Sequence, residues 1–267
     1  MDFRSRFSLR GGTIAPIPLG RPRWTYIIIG IDVVIFLLMT LAGGTQNPDV
    51  LDRFGANTAW LIAGQGEYWR LFTANFIHIG ILHLAFNMFA LYQLGRQIES
   101  LYGRPRFLAI YLLSGLSGTV FSYLLTQGRS AGASTALFGL FGALLVYFYK
   151  YRDDFDGFGR RQLINLAVIL LVNVLIGLSP GSNIDNWGHI GGFVGGLFLG
   201  WFLCPRYALV DPFVNAFAPA LSRRVELSNG IVMDTNALSR QALPVAIFIG
   251  VLIMLTALAT SLQQPRL

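Results

Sequence analysis

Asn186-Trp187-Gly188-His189-Ile190-Gly191-Gly192-Phe193-Val194-Gly195-Gly196 opens an apolar run that continues to Cys204. The run is long enough to span a bilayer as a helix, yet it starts with a histidine and is dense in glycine. Between membrane helices, glycine lets backbones approach closely. His189, Gly192, Gly196 and Gly200 recur at three- and four-residue intervals, which puts the imidazole and a glycine stripe on one face. Polar groups inside a bilayer are costly, so this histidine needs a partner.

Six further apolar stretches lie at 24–42, 76–95, 107–127, 134–149, 162–178 and 243–262, beside the run at 187–204. Of 267 residues, 54% are hydrophobic and 12% charged, whereas a soluble domain carries about 25% charged residues. The sequence therefore predicts an all-α polytopic membrane helix bundle. Its parts are an N-terminal cytoplasmic segment at 1–23, a six-helix core at 24–204, a cytoplasmic connector at 205–242, and a seventh helix with a short external tail at 243–267.

The net charge of +7 would suggest nucleic acid in a soluble protein, but these arginines sit in clusters between apolar runs. Arg4, Arg6, Arg10, Arg21 and Arg23 precede the first span, and Arg96, Arg104 and Arg106 follow the second. Lys150, Arg152, Arg160 and Arg161 follow the fourth, and Arg206, Arg223, Arg224 and Arg240 the sixth. Every second connection is basic, which puts the N-terminus in the cytoplasm and the C-terminus outside. The partners implied are a lipid bilayer and other transmembrane proteins, not nucleic acid. A lone Cys204 excludes a disulfide within the chain. No cleavage site precedes the first span, so no removable signal peptide is expected.

The outer connections differ in character. Residues 43–75 are too polar to span and rich in aromatics, including Trp60, Tyr68 and Trp69, so a partly helical interfacial segment is expected. Gln127–Gly132 and Ser179–Trp187 read as short turns.

Ser134 opens the fourth span in Gly132-Ala133-Ser134-Thr135-Ala136-Leu137-Phe138-Gly139-Leu140-Phe141-Gly142. Sixteen residues separate Ser134 from Lys150, and sixteen separate His189 from Pro205. Each side chain then lies ~24 Å above the inner end by helical rise, below the surface of a ~30 Å hydrocarbon core. A helix starting at that depth needs a wet pocket or surrounding protein to satisfy its backbone. A serine hydroxyl becomes a nucleophile when a base takes its proton, and histidine does this near neutral pH. Asp185 falls in the outer turn, so a dyad is expected rather than a triad. Two plainer uses stay open: Ser134 as a helix N-cap, and the glycines as packing residues only.

Acyl transfer also needs donors for a developing oxyanion. The second span contains His78-Ile79-Gly80-Ile81-Leu82-His83-Leu84-Ala85-Phe86-Asn87, with His83 and Asn87 four apart on one face. These two, with the Ser134 amide, form a candidate oxyanion hole. No third or fourth ligand accompanies them at metal spacing, and no metal or cofactor is expected.

Trp69-Arg70, His78 with His83 and Asn87, Gly132-Ala133-Ser134 and His189-Ile190-Gly191-Gly192 together resemble the motifs of the rhomboid intramembrane serine proteases. The resemblance covers about residues 25–204 and treats the seventh span as an addition known in some branches. It implies that Ser134 attacks a peptide bond in a partner's transmembrane segment, with His189 as base and then acid. His83, Asn87 and the Ser134 amide would hold the oxyanion, and Gly132 would shape the nucleophile turn. Phe138 falls where the family places an aromatic ring against the histidine, His78 would be a structural hydrogen-bonding residue, and Trp69 and Arg70 would anchor the loop at headgroup level. Thr135 departs from the family, which has glycine after the nucleophile. A threonine there strains the turn if the backbone angles are unusual and costs little in ordinary helix.

Two other classes of function compete. An inactive rhomboid-like protein would bind transmembrane segments for quality control or trafficking, although such relatives normally lose the serine or the histidine. A transporter would want ionisable residues along a path, and Asp32 is the only acidic residue deep in a span.

Overall fold

The computed structural model describes residues 6–9, 13–16, 20–126, 128–152, 158–179, 182, 184–210, 224–227 and 230–263. Arg4, Arg10 and Arg223 of the basic clusters, parts of the turns at 127–132 and 179–187, and much of the connector lie outside the described residues.

A two-stranded hairpin, β1 (Arg6–Leu9) with β2 (Thr13–Pro16), comes first. Helix α1 (Trp24–Leu41) follows. Its first amides are exposed donors at the positive end of the helix dipole, and the buried Glu99 carboxylate collects them. Glu99 Oε1 accepts from Arg23 N at 2.7 Å and Trp24 N at 2.9 Å, and Oε2 from Thr25 N at 2.9 Å and Thr25 Oγ1 at 2.8 Å.

The stretch after α1 folds as a small unit of its own: α2 (Pro48–Phe54), β3 (Asn57–Thr58), α3 (Ala59–Gln65), α4 (Arg70–Thr73) and a 3-10 turn, Ala74–Phe76. Next come α5 (Ile81–Ala90), a π-helical turn at Leu91–Gly95 and α6 (Arg96–Tyr102), so the expected second span starts later and runs further than 76–95. Helix α7 (Arg104–Leu125) leads to β4 (Arg129–Ser130), which pairs antiparallel with β3 and ties the outer unit to the chain just ahead of Ser134. Helices α8 (Ser134–Lys150), α9 (Phe158–Gly177) and α10 (Asn186–Leu203) complete the core region.

The connector lacked any readable periodicity in sequence. It contains a three-stranded antiparallel sheet, β5 (Tyr207–Val210), β6 (Arg224–Leu227) and β7 (Gly230–Asp234), with β7 in the middle. At that end of the bundle Arg106 pairs with Asp234 and donates to the carbonyl of Asn236. Asn236 Nδ2 in turn donates to Phe202 O and Cys204 O at 2.8 Å each, satisfying carbonyls that the end of α10 leaves open. Helix α11 (Ala242–Gln263) then runs back along α7.

Helices thus stand at all seven apolar stretches. Among the described residues, four are long and apolar enough to cross a membrane: Trp24–Leu41, Arg104–Leu125, Gly159–Gly177 and Leu238–Gln263. The pair Arg70–Phe76 and Ile81–Tyr102, bent by 89°, makes a fifth if it is one span. Helix α8 falls short by length at 17 residues, and α10 by composition, because six glycines, Asn186 and His189 replace bulky apolar side chains. The chain is a multi-pass helical membrane protein whose outer surface is apolar. Ile31 and Leu37 on α1, Leu171 on α9 and Ile253 on α11 are exposed, an arrangement costly in water and suited to lipid. The core lies between α7, α8 and α10, filled by Phe107, Tyr111, Leu140 and Leu199.

Candidate active site

Helix α8 starts at Ser134 directly after a turn that only glycine fits. Gly132 has φ +135°, and a Cβ there would lie 2.7 Å from His83 Cε1 and 2.8 Å from His83 Nε2. The outer unit holds this turn from two sides: Gly132 N donates to Ala74 O at 2.9 Å, and Ala133 N donates to His78 Nε2 at 3.3 Å. Ser134 Oγ lies 2.9 Å from His189 Nε2. No side-chain cap bond closes the start of α8, so the serine hydroxyl faces the histidine instead of serving as an N-cap.

Glycine makes that distance reachable. A Cβ on Gly192 would sit 2.0 Å from Thr135 O, one on Gly196 2.0 Å from Gly139 O, and one on Gly200 2.7 Å from Ala143 Cα. Helices α8 and α10 therefore touch backbone to backbone along three turns. Helix α10 has a second glycine face that the three- and four-residue spacing does not reveal. Gly191 and Gly195 press α10 against Phe121 and Ser117 of α7, where Ser117 Oγ donates to Gly191 O at 2.8 Å. The doublets Gly191-Gly192 and Gly195-Gly196 carry that signal, since consecutive helical positions point about 100° apart and serve two neighbours.

The imidazole of His189 stacks on Phe138 with ring centroids 4.2 Å apart and planes at 15°. His83 Nδ1 accepts from Ile79 N at 3.3 Å, which leaves the proton of the neutral ring on Nε2, the nitrogen that faces Gly132. The Nε2 side of His83 thus faces the Gly132 turn just ahead of Ser134. Asn87 is buried one helical turn further on and donates to His83 O at 2.8 Å, while its Oδ1 finds no partner among the described residues. No hydrogen bond joins Asn87 to Ser134 or His189. His78 lies behind the turn, 5.2 Å from His83 between ring centroids.

Thr135 sits in ordinary helix and is buried. Its Oγ1 donates to Asn75 Oδ1 at 2.6 Å, and Asn75 Nδ2 donates onward to Leu71 O and Phe72 O at 3.3 and 3.2 Å. Its carbons occupy space left by glycine: a Cβ on Gly118 would lie 2.5 Å from Thr135 Cβ, and one on Gly188 3.1 Å from Thr135 Cγ2. Asn75 went unnoticed in the sequence because nothing local marks a side chain whose partner lies sixty residues away.

Arg70 is buried inside the outer unit. It donates to Asp52 O at 2.6 Å and Ala56 O at 3.2 Å, and its guanidinium lies 4.7 Å from the Trp69 ring centroid. Asp52 also binds Arg129 of β4 at 2.7 and 2.8 Å, and that pairing holds its carboxyl below the ordinary 3.8. Asp185, expected in the outer turn, caps α10 by accepting from Gly188 N. Among the described residues no carboxylate hydrogen-bonds the His189 ring.

A family model described as the rhomboid domain matches residues 65–206, a span that holds all of Asn75, His78, His83, Asn87, Ser134, Asp185 and His189. The chain belongs to the rhomboid family. It is 45% identical over 179 residues to rhomboid protease GluP of Bacillus subtilis (strain 168), a match covering 67% of this chain and 34% of that protein. RHOMBOID-like protein 1 of Arabidopsis thaliana is 35% identical over 164 residues, covering 59% of this chain and 40% of the relative. Rhomboid-like protease 1 of Toxoplasma gondii is 33% identical over 190 residues, covering 65% and 62%. This chain therefore spans less than two thirds of the length of each of these rhomboid relatives. Helix α11 lies beyond the matched rhomboid region.

Proposed function

We propose that this chain is an intramembrane serine endopeptidase that cleaves transmembrane segments of other membrane proteins, with Ser134 as nucleophile and His189 as base. The observation that carries the reading is the 2.9 Å contact between Ser134 Oγ and His189 Nε2, with the imidazole stacked on Phe138. With its proton on Nδ1, His189 accepts the serine proton at Nε2 as Oγ attacks the scissile carbonyl, and returns it to the leaving amine. Water then attacks the acyl-enzyme with His189 again as base. The Ser134 amide, His83 Nε2–H and the amide of Asn87 stabilise the oxyanion. Asn87 donates one of its two amide N–H bonds to His83 O, which leaves the other for this role. His78 and Gly132 hold the nucleophile turn in shape.

In this reading the helices at all seven apolar stretches cross the cell membrane, six as the core and α11 as the seventh. The N-terminus is cytoplasmic and the C-terminus external. The short α8 and α10 start beneath the outer surface, so water reaches Ser134 from outside.

The test compares purified wild type, Ser134→Ala and His189→Ala on a fluorescent transmembrane substrate and on a fluorophosphonate probe. Cleavage and labelling by the wild type, both lost in the two variants, are expected. Equal substrate binding by all three with no cleavage by any would instead establish an inactive rhomboid-like protein that binds transmembrane segments.

A further inference from the structure

Ser130 stands four residues ahead of Ser134, and Asp185 stands four residues ahead of His189. Asp185 Oδ2 accepts from Ser130 Oγ at 2.6 Å. Its Oδ1 accepts from Thr126 Oγ1 at 2.9 Å and from Gly188 N at 3.0 Å, while the Asp185 carbonyl accepts from His189 N at 3.0 Å. The segments that lead into the nucleophile and the base are thus joined twice, once by the reacting pair and once by this carboxylate.

The glycine contacts between α8 and α10 leave a need that Asp185 meets. They set how close the helices lie, but a surface without side chains offers little resistance to sliding along the axis. A carboxylate fixed to the first turn of α10 through Gly188 N and accepting from two hydroxyls of other segments does resist it, because an axial shift of α10 breaks both of those hydrogen bonds together. Ser130 is a fixed point for this purpose. It pairs with Asn57 in the β3–β4 ladder, and its neighbour Arg129 is bound to Asp52.

We infer that Asp185 is a positioning residue that sets the axial register of His189 against Ser134 through Ser130 and Thr126, acting by its hydrogen bonds and not by its charge. The inference rests on the protease reading above. Asp185→Asn separates the two modes of action. An asparagine keeps an oxygen for Thr126 and Gly188 N, and its amide donates to Ser130 Oγ, so all three links persist while the charge is gone.

The experiment measures kcat and KM on the transmembrane substrate, together with the Ser134 Oγ to His189 Nε2 distance in crystal structures, for wild type, Asp185→Ala, Asp185→Asn and Ser130→Ala. Asp185→Ala should lower kcat by up to about 10²-fold, the effect of a ~1 Å misplacement, with KM little changed. Its Ser134–His189 separation should exceed about 3.5 Å, beyond hydrogen-bond range. Asp185→Asn should keep most of the activity and the 2.9 Å contact, and Ser130→Ala should fall between. Wild-type kcat and distance in Asp185→Ala would overturn the proposal, as would Asp185→Asn as impaired as Asp185→Ala, which would assign the effect to charge. If the wild type neither cleaves nor takes up fluorophosphonate, the protease reading fails, and the distances alone still decide whether Asp185 sets the register.

Discussion

Helices α9 and α10 are close in length, at 20 and 18 residues, and both are apolar, yet they are built on opposite plans. Only 11% of the spanning window of α9 is buried, and Val168, Leu171, Val172 and Leu175 face outward. Its hold on the bundle is a seam on α8 that includes the buried Leu166. Helix α10 buries six glycines against two neighbours and keeps its bulk, such as Trp187, Ile190 and Trp201, for the surface. Bulky side chains suffice where a helix needs only to stand in lipid. Where two side chains must meet at 2.9 Å, the backbones themselves have to come into contact, and glycine is the residue that permits it. The same contrast ranks mobility: displacing α9 costs few buried contacts, whereas displacing α10 breaks packing on two faces.

Substitutions at three positions test this contrast. The largest effect is expected for Gly196→Val. Its first added carbon alone would meet the Gly139 carbonyl at 2.0 Å, a backbone atom that cannot rotate away. Overpacking of this kind costs about 1–3 kcal/mol or more, and separating α8 from α10 should also abolish cleavage. Thermal unfolding in detergent and the cleavage rate check it together, and an active Gly196→Val protein would break the comparison outright.

A smaller effect is expected for Thr135→Val, on the α8 side of the same contact. It preserves shape but strands Asn75 Oδ1 in a buried site without its donor, a loss of about 1–3 kcal/mol. Thr135→Ser should restore most of the stability and of the fluorophosphonate labelling rate. A serine variant no better than valine would show that the Asn75 bond contributes nothing. The smallest effect belongs to Val172→Ala on the outward face of α9, which should change stability by no more than about 0.5 kcal/mol. A drop approaching that of Gly196→Val would mean α9 is as firmly held as α10.

Much of the site was legible in one dimension. Ser134 stands sixteen residues from Lys150 and His189 sixteen from Pro205, close to the far ends of their helices, and similar rise brings them near one level, as their 2.9 Å contact reflects. The stripe Gly192-Gly196-Gly200 was readable from its spacing, and His83 from its place on a helix face. Thr135 could be posed only as a question, because its answer lies in the glycines across from it and in Asn75. Asp185 reads in sequence as a turn residue for a similar reason: its partners Thr126 and Ser130 lie 59 and 55 positions away.

By itself, the sequence determined the membrane class, the approximate placing of the apolar helices, the serine and histidine that come into contact and the face of α10 that must be thin. Those properties follow from composition, rise per residue and helical period, all of which act locally along the chain. Tertiary structure alone decided that α10 has a second glycine face, that the outer unit grips the start of α8 through Ala74, Asn75 and His78, and that a carboxylate ties the segments leading into Ser134 and His189 together. These depend on which distant atoms face each other, and a hydrogen bond across sixty residues leaves no periodic trace in either partner's neighbourhood.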